Sequence, residues 1–240
     1  MVKSELIQRS PIRIFEQSIH GGLKAGEIGI IASPNGVGKT SVLVQLALDK
    51  LLQEKKVIHV SFTQHVQYVP VWYEDIFEEI INKKNLENAA EIKNDIVKNR
   101  VLMNFNQDGV TVEQIIKSLR AMITDGGFKA DSIIIDGFDF TRAEKDSSMA
   151  SVKAFTQELG VSIWYSCSVK DEGQQYNKDN IPIVLSDFIS CIDVVIVLNP
   201  KQDHVELSVS KAPAGCQNGE QVCKSMAMKL DPKTLLILEK

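Results

Sequence analysis

Short apolar runs alternate with amphipathic stretches along most of the chain, and this alternation predicts its secondary structure. Continuous apolar runs predict buried strands, and apolar positions spaced three and four residues apart predict helices. The predicted strands cover residues 26–32, 57–62, 100–105, 132–136, 161–168, 193–198, 205–211 and 234–238. The predicted helices cover residues 41–48, 71–98, 111–124 and 148–159, with Thr111 as an N-cap. The polar segment 71–98 is the best candidate for an insertion, and an ordinary solvated pair of helices is favoured there over a partner-binding element.

Strands that alternate with helices favour a mostly parallel, twisted sheet with helices on both faces. We therefore predict an α/β fold in which the strands at 205–211 and 234–238 are antiparallel. Because the chain contains no internal repeat and no low-complexity linker, residues 1–240 are predicted to form one domain. The loops that follow parallel strands meet at one edge of the sheet, where a ligand is expected to bind.

The sequence SPNGVGKT at residues 33–40 is typical of a phosphate-binding P-loop, or Walker A motif, with Ser33 in place of the usual first glycine. It stands between a predicted strand and a predicted helix, which is the context that a P-loop needs. Its glycines let backbone N–H groups converge on an anion, and the helix N-terminus adds positive dipole character. The alternative is a glycine-rich turn that merely contains Lys39 and Thr40.

This loop predicts that the chain binds ATP and Mg²⁺. Lys39 is expected to reach the β- and γ-phosphates, and the Thr40 hydroxyl is expected to coordinate Mg²⁺. The predicted nucleotide-binding residues are Asn35, Gly36, Val37, Gly38, Lys39, Thr40 and Ser41. The sequence contains no guanine-reading motif of the Asn-Lys-x-Asp type, which favours ATP over GTP.

A second motif supplies a carboxylate. The apolar strand at 132–136 ends in Asp136, the pattern of a Walker B motif, and this Asp is predicted to hold Mg²⁺ together with Thr40. Asp139 is the competing carboxylate, and we expect it either to cap the following loop or to act on the metal site indirectly, through another ligand. The strand at 161–168 ends in small polar residues, among them Ser166.

The segment GGLKAGEI at 21–28, followed by the P-loop, resembles the RecA-like ATPases and most closely their KaiC/RadA branch. Residues 187–198, followed by the strand that ends in Ser210 and Lys211, are similar to the C-terminal half of that branch. The resemblance implies a RecA-like P-loop NTPase fold. It also implies assembly into a homo-oligomer, such as a hexameric ring, with nucleotide between neighbouring subunits.

The chain departs from this family at two positions that serve hydrolysis. The family places a catalytic Glu just after the strand that follows the P-loop helix, where this chain has Thr63, Gln64 and His65. Gln64 is predicted to orient the attacking water, although it is a poor base. The family's Lys-x-Arg pattern, which contacts the neighbour's γ-phosphate, is matched by Lys211 without its Arg. The predicted catalytic residues are therefore Gln64 and Lys211, and hydrolysis is predicted to be slow or absent.

We thus predict an ATP-binding KaiC/RecA-like oligomer with a regulatory or scaffolding role. The alternative is an active RecA-like ATPase that acts on DNA as a recombinase or helicase, and a small-molecule kinase ranks behind both. A net charge of −4 and a slightly acidic loop at 169–180 disfavour nucleic acid as a partner.

The sequence predicts a cytoplasmic protein that does not enter a membrane. Its four cysteines form no C-x-x-C pair, and it shows no signal-peptide pattern and no apolar run long enough to cross a membrane.

Overall fold

Apolar, β-branched runs form the centre of a mixed sheet in the computed structural model of the chain. The structure describes residues 3–19, 21–62, 67–85, 87–106, 108–142, 148–170, 175–213 and 228–239. In chain order the strands are β1 (Ile28–Ser33), β2 (Val57–Ser61), β3 (Arg100–Asn104), β4 (Ser132–Asp136), β5 (Ser162–Ser168), β6 (Val194–Pro200), β7 (Val205–Lys211), β8 (Met228–Leu230) and β9 (Ile237–Glu239). The helices are α1 (Lys3–Gln8), α2 (Pro11–Ser18), α3 (Lys39–Leu52), α4 (Val69–Lys84), α5 (Ala89–Lys98), α6 (Val112–Arg120) and α7 (Ser148–Leu159).

The nine described strands join one sheet in the order β3-β2-β4-β5-β1-β6-β7-β8-β9. Pairing is parallel from β3 to β6, and β7, β8 and β9 then add in antiparallel fashion. The predicted α/β fold with a mostly parallel sheet and antiparallel C-terminal strands is therefore confirmed. Because β1, β2, β4 and β5 run in the same direction, their carboxyl ends meet at one edge of the sheet.

Strand side chains alternate between two apolar layers, one on each face of the sheet. Helices α1 to α5 cover one face, and α6 and α7 cover the other. On the first face, Ile31 and Ile134 pack with α3, while Ile30 and Ile135 lie in the opposite layer. Among the described residues, no helix combines the length and apolar character needed to cross a membrane.

Several element bounds differ from the sequence prediction. The solvated pair of helices predicted at 71–98 is present as α4 and α5, although α4 begins two residues earlier, and the break falls where Asn85 and Asn88 adopt positive φ angles of 49° and 56°. Asn tolerates this left-handed conformation, which ends a helix. The strand predicted at 234–238 begins only at Ile237, since Asp231 accepts the Lys233 N–H and forms a turn. The alternation of Met226 and Met228 with polar residues predicts strand packing, and β8 begins at Met228, while Met226 lies outside the described residues. Helices α1 and α2 have no counterpart in the sequence prediction.

The N-cap of α6 and the bounds of three other elements fit the prediction. Thr111 caps α6 as expected, with its hydroxyl accepting the Gln114 N–H and the Gln114 side chain accepting the Thr111 N–H. The helix itself ends at Arg120 and continues as a π-helical turn over Ala121–Asp125. The bounds of β4, β7 and α7 are those predicted. The prediction of a single domain stays a prediction.

Candidate nucleotide-binding site

The loop at residues 33–40 connects the central strand β1 to the first turn of α3. Gly36 and Gly38 both have positive φ angles, of 77° and 113°, which residues with a side chain rarely adopt. Gly38 is also the N-cap of α3, and a Cβ atom there would lie 2.4 Å from Leu230 Cδ2. The tight turn and the close approach of β8 thus require glycine at position 38.

Lys39 turns back over the beginning of this loop. Its side chain is buried, and Nζ donates hydrogen bonds to Pro34 O at 2.7 Å and to Ser33 O at 3.0 Å. These carbonyl groups compensate part of the desolvation of the ammonium group. Because α3 begins at Lys39, its positive dipole end also faces the loop. A lysine and a helix N-terminus beside a glycine turn are the components of an anion-binding site.

Thr40 and Asp136 meet at the carboxyl edge of the sheet. The Thr40 hydroxyl donates to Asp136 Oδ2 at 2.8 Å. The Ser166 hydroxyl donates to Asp136 Oδ1 at 2.6 Å, and it accepts the Gly137 N–H at 2.7 Å. The sheet order explains this contact, since β5 lies between β4 and β1 and carries Ser166 at its carboxyl end. The sequence shows that β5 ends in polar residues. The hydrogen bond from Ser166 to Asp136 depends on the order of the strands, which the sequence does not show.

The hydroxyl and carboxylate oxygens of Thr40 and Asp136 are the ligand type that Mg²⁺ prefers. Within the described ranges, no group of three or more His, Cys, Asp or Glu side chains converges on a point that could hold a metal ion. A Mg²⁺ ion at this edge would therefore take further oxygen ligands from phosphate and water, as Mg²⁺ commonly does in nucleotide sites.

The remaining predicted loop residues have different surroundings. Asn35 and Gly36 are exposed, and Val37 is half-buried against the apolar layer that contains α3. The Ser41 hydroxyl faces the C-terminal segment, where it donates to Leu235 O at 2.5 Å. The Ser41 hydroxyl is therefore already engaged, and the prediction that Ser41 binds nucleotide now rests on its backbone.

Gln45, one turn after Ser41, extends the link between α3 and the end of the chain. Its Nε2 donates to Leu235 O at 2.8 Å, and its Oε1 accepts the Ile237 N–H at 2.7 Å. Leu230 of β8 packs on Gly38 from the same C-terminal segment. Residues 230–237 thus pack against the loop at Gly38 and hydrogen-bond to the first turns of α3.

Of the two predicted catalytic residues, only Lys211 belongs to the described part of the chain, and it does not lie at the loop 33–40 of its own chain. Gln64 lies outside the described residues. Lys211 lies at the end of β7, and its Nζ donates to Ile189 O at 2.6 Å and to Ile192 O. Asp193, which directly follows Ile192, bonds to Ile28 O at the amino end of β1. The Lys211 ammonium therefore faces the opposite edge of the sheet from its own loop 33–40. Burial lowers the pKa of Lys211, and Asp193 opposes that shift.

Asp139 caps the loop after β4, as expected. Its Oδ1 accepts the Thr141 N–H at 2.9 Å and the Thr141 hydroxyl at 2.6 Å. Its Oδ2 lies 3.3 Å from Arg142 Nε, and Arg142 also pairs with Asp108. Two carboxylates thus balance the one Arg in the described part of this loop, which does not favour phosphate-backbone binding there.

A second polar cluster lies on the same sheet face as Asp136. His59 of β2 is in register with Ile134 and so points to the α3 side, where its Nδ1 lies 3.0 Å from Tyr73 Oη. The Arg100 guanidinium stacks over the Tyr73 ring at 4.1 Å. His59 Nε2 is buried, and no described residue hydrogen-bonds to it. Burial lowers the pKa of His59 to about 4, Asp136 opposes the shift and Arg100 adds to it.

The lowered pKa of His59 predicts an acid-sensitive fold. In the unfolded chain His59 regains an ordinary pKa of about 6.5, so below that pH the unfolded state binds a proton that the folded state does not. The stabilisation is complete above about pH 6.5 and is lost as the pH falls towards 4, by an amount on the order of 3 kcal/mol. We expect His59→Phe to flatten this part of the profile of unfolding free energy against pH.

Urea unfolding between about pH 7 and pH 4.5 measures this difference. Leu43→Met, which changes no titratable group, gives the control variant and should keep the slope of the wild type. Equal slopes for wild type and His59→Phe would show that other groups cause the acid sensitivity.

No protein-family model matches this chain, and no curated protein matches it. The interpretation of the site therefore depends on its own geometry. The glycine turn at 33–40 follows the central strand β1, and Lys39 begins helix α3. Thr40 donates a hydrogen bond to Asp136 at the end of β4.

Proposed function

We propose that this protein is a RecA-like P-loop module that binds ATP with Mg²⁺ and hydrolyses it slowly or not at all. The observation that carries the proposal is the 2.8 Å hydrogen bond between Thr40 Oγ1 and Asp136 Oδ2. It joins two residues that are far apart in the sequence and that two separate motifs predicted for one Mg²⁺ ion. A glycine-rich turn without a nucleotide function gives no reason for this pairing.

The roles of the residues follow from their chemistry. The backbone of the loop and the N-terminus of α3 would bind the phosphates, and the Lys39 ammonium would exchange its carbonyl partners for phosphate oxygens. Thr40 and Asp136 would hold Mg²⁺, which neutralises part of the phosphate charge. Ser166 would keep the Asp136 carboxylate oriented through its hydrogen bond to Oδ1.

The position of the loop in the sheet supports this proposal. Strand β1 lies between β5 and β6, and β4 is next to β5, so the loop and Asp136 both lie at the carboxyl edge. Ligands of open α/β sheets bind at this edge, outside the ends of the strands. The segment at 21–28 and the loop then favour the RecA-like class over other P-loop proteins.

Slow hydrolysis is proposed because the groups that accelerate it in related P-loop proteins are missing from this chain or already hydrogen-bonded elsewhere. Residues 63–65 include no carboxylate, so Gln64 is the group proposed to orient water. No Arg follows Arg142, and Lys211 already donates to two carbonyl groups of its own chain. To contact a neighbour's phosphate, Lys211 would have to break both of these hydrogen bonds. A protein that retains ATP in this way suits a regulatory or scaffolding role, in which the bound nucleotide sets assembly of a homo-oligomer.

The test is to measure ATP affinity with and without Mg²⁺, phosphate release, and molecular mass in each nucleotide state. We expect binding that Mg²⁺ strengthens, turnover on the order of 10⁻³ s⁻¹ or slower, as in a P-loop NTPase without its arginine finger, and a mass above that of the monomer with ATP. Absence of ATP binding would overturn the whole proposal. Turnover faster than about 1 s⁻¹, which is the range of finger-assisted enzymes, would contradict slow hydrolysis. A monomer in every state would contradict the oligomer.

A further inference from the structure

A cavity of about 70 Å³ lies beside the C-terminal half of α3, remote from the loop 33–40. Helices α1 and α2, helix α3, the end of α4 and strand β9 form its walls. Its lining is mainly aliphatic and includes Leu6, Ile12, Leu48, Leu52, Ile80 and Leu238. An apolar cavity of this kind accepts an apolar group more readily than water.

Two lysines in the last turn of α4 line the same cavity. Lys83 is exposed and Lys84 is half-buried, so this end of the cavity lies at the protein surface. Lysines lay their aliphatic stems along apolar surface and keep the ammonium group in water. The two ammonium groups are therefore expected at the opening of the cavity, with the apolar interior behind them. Among the described residues, no carboxylate lies within ion-pair distance of Lys83 or Lys84.

The other charges around the cavity balance one another. Asp49 of α3 is 3% exposed, and its carboxylate already accepts a hydrogen bond from the Arg13 guanidinium. Arg13 and Lys50 also pair with Glu16, both at 2.8 Å. Two cations and two carboxylates thus cancel, so the two lysines of α4 give the opening a net positive charge. Asp231, the neighbouring carboxylate of Lys83, offsets at most one of these charges.

The volume of the cavity limits the apolar part of a ligand. A single water needs roughly 10–15 Å³ on this measure, so about 70 Å³ admits about five non-hydrogen atoms. A branched chain of five carbons matches this number. A carboxylate at the end of such a chain would lie at the opening, where it stays partly hydrated and avoids the cost of a buried charge. The ammonium groups would attract this carboxylate and repel a cation.

We propose that this cavity binds a small aliphatic monocarboxylate, with its branched chain inside and its carboxylate beside the ammonium groups of Lys83 and Lys84. The site is separate from the loop 33–40 and does not depend on the function proposed for that loop. A nucleotide is too large and too polar for this cavity, so the two ligands would not compete.

The ligand 4-methylpentanoate tests this proposal, because it carries a carboxylate on a branched chain of five carbons. Its amide, 4-methylpentanamide, has the same shape without the charge, and acetate has the charge without the chain. At pH 7 and low salt, we expect 4-methylpentanoate to give saturable methyl NMR shifts for Leu48 and Leu52, which line the cavity. Leu43, on the same helix but outside the lining, should not shift.

The affinities distinguish the contribution of the charge from that of the chain. A ligand this small is expected to bind in the millimolar range. Binding of 4-methylpentanoate should be at least about three-fold tighter than binding of the amide, as expected for ion pairs near the surface. Added salt should reduce this preference, since it screens exposed charges. Acetate should give no saturable shift.

Replacement of the lysines provides the second test. Lys83→Met and Lys84→Met remove the charges and keep most of the apolar length of the side chains. The double variant should bind 4-methylpentanoate and the amide equally, while its affinity for the amide stays that of the wild type. A purely structural role of the lysines would weaken both ligands alike. Lys98→Met, in the last turn of α5 and outside the lining, is the matched control and should keep the wild-type preference.

Three results would overturn the proposal. The first is equal affinity of the wild type for 4-methylpentanoate and its amide, and the second is the absence of saturable shifts at Leu48 and Leu52. The third is a shift of these methyl groups with protein concentration alone, which would assign the cavity to a second copy of the chain. All three are measured on the wild type, so they decide the matter even if the double variant does not fold.

Discussion

Replacement of Lys39 by Ala is expected to weaken binding of Mg·ATP by about 100-fold. The ammonium group is held over the loop by Ser33 O and Pro34 O, the place from which a lysine reaches phosphate oxygens. Each hydrogen bond between charged groups contributes about 1.5–3 kcal/mol, and about 2.7 kcal/mol corresponds to 100-fold in affinity. Calorimetric titration of wild type and variant gives the ratio directly.

Two further variants make this result specific to position 39. Lys24→Ala removes the same charge from an exposed site before β1. It changes only the long-range attraction, so the affinity for Mg·ATP should stay within about two-fold of the wild type. Lys39→Met keeps most of the apolar length of the side chain and should be as defective as Lys39→Ala. If Lys39→Ala binds like the wild type while it remains folded, the loop is not the phosphate site.

Substitution of Gly38 by Ala should lower the free energy of unfolding by about 3 kcal/mol. Two effects combine at this residue. A φ angle of 113° strains any residue with a Cβ, by about 1–2 kcal/mol. The added methyl group would also lie 2.4 Å from Cδ2 of Leu230, a fully buried side chain with little room to move, and overpacking of this kind costs about 1–3 kcal/mol.

Two other glycines separate these effects. Gly36→Ala has the positive φ angle, but its Cβ would meet nothing within 4 Å, so only the backbone strain should appear. Gly109→Ala has neither feature and should be close to neutral. Urea unfolding of the three variants should rank them in the order 38, 36, 109.

A double-mutant cycle with Leu230→Ala isolates the steric part. Leu230→Ala alone should be destabilising because it opens a cavity, but it should relieve the overlap with Ala at position 38. The two changes together would then be less harmful than their sum. Strict additivity would show that β8 does not press on the loop.

Local patterns predicted the parts of the candidate site that lie within one element. The turn at 33–40 and the strand that ends in Asp136 each carry their own signal, namely spacing of glycines and a continuous apolar run. Their meeting followed from the general rule that parallel strands end at one edge. The coarse fold could be predicted for the same reason.

The parts that local patterns missed depend on distant residues. The hydrogen bond from Ser166 to Asp136 requires β5 to lie beside β4, and the two carbonyl partners of Lys211 come from the segment before β6. The position of the break between the two helices of residues 71–98 depends on two Asn residues whose left-handed conformation leaves no periodic signal. Strand β8 has three residues, so the alternation at Met226 and Met228 indicates strand packing but not the partner strands β7 and β9.

The contacts between α3 and the C-terminal segment also set an order of events during synthesis. Ser41 receives its partner Leu235 from a position 194 residues later in the chain, and Gln45 bonds to Ile237, 192 residues later. A chain is made from its N-terminus, so β1, the loop and α3 leave the ribosome long before these partners exist. The nascent chain therefore lacks these contacts between α3 and the C-terminal segment until residue 237 has emerged. Competence to bind a phosphate is expected to appear only after residue 237 has emerged, although the loop itself is made long before.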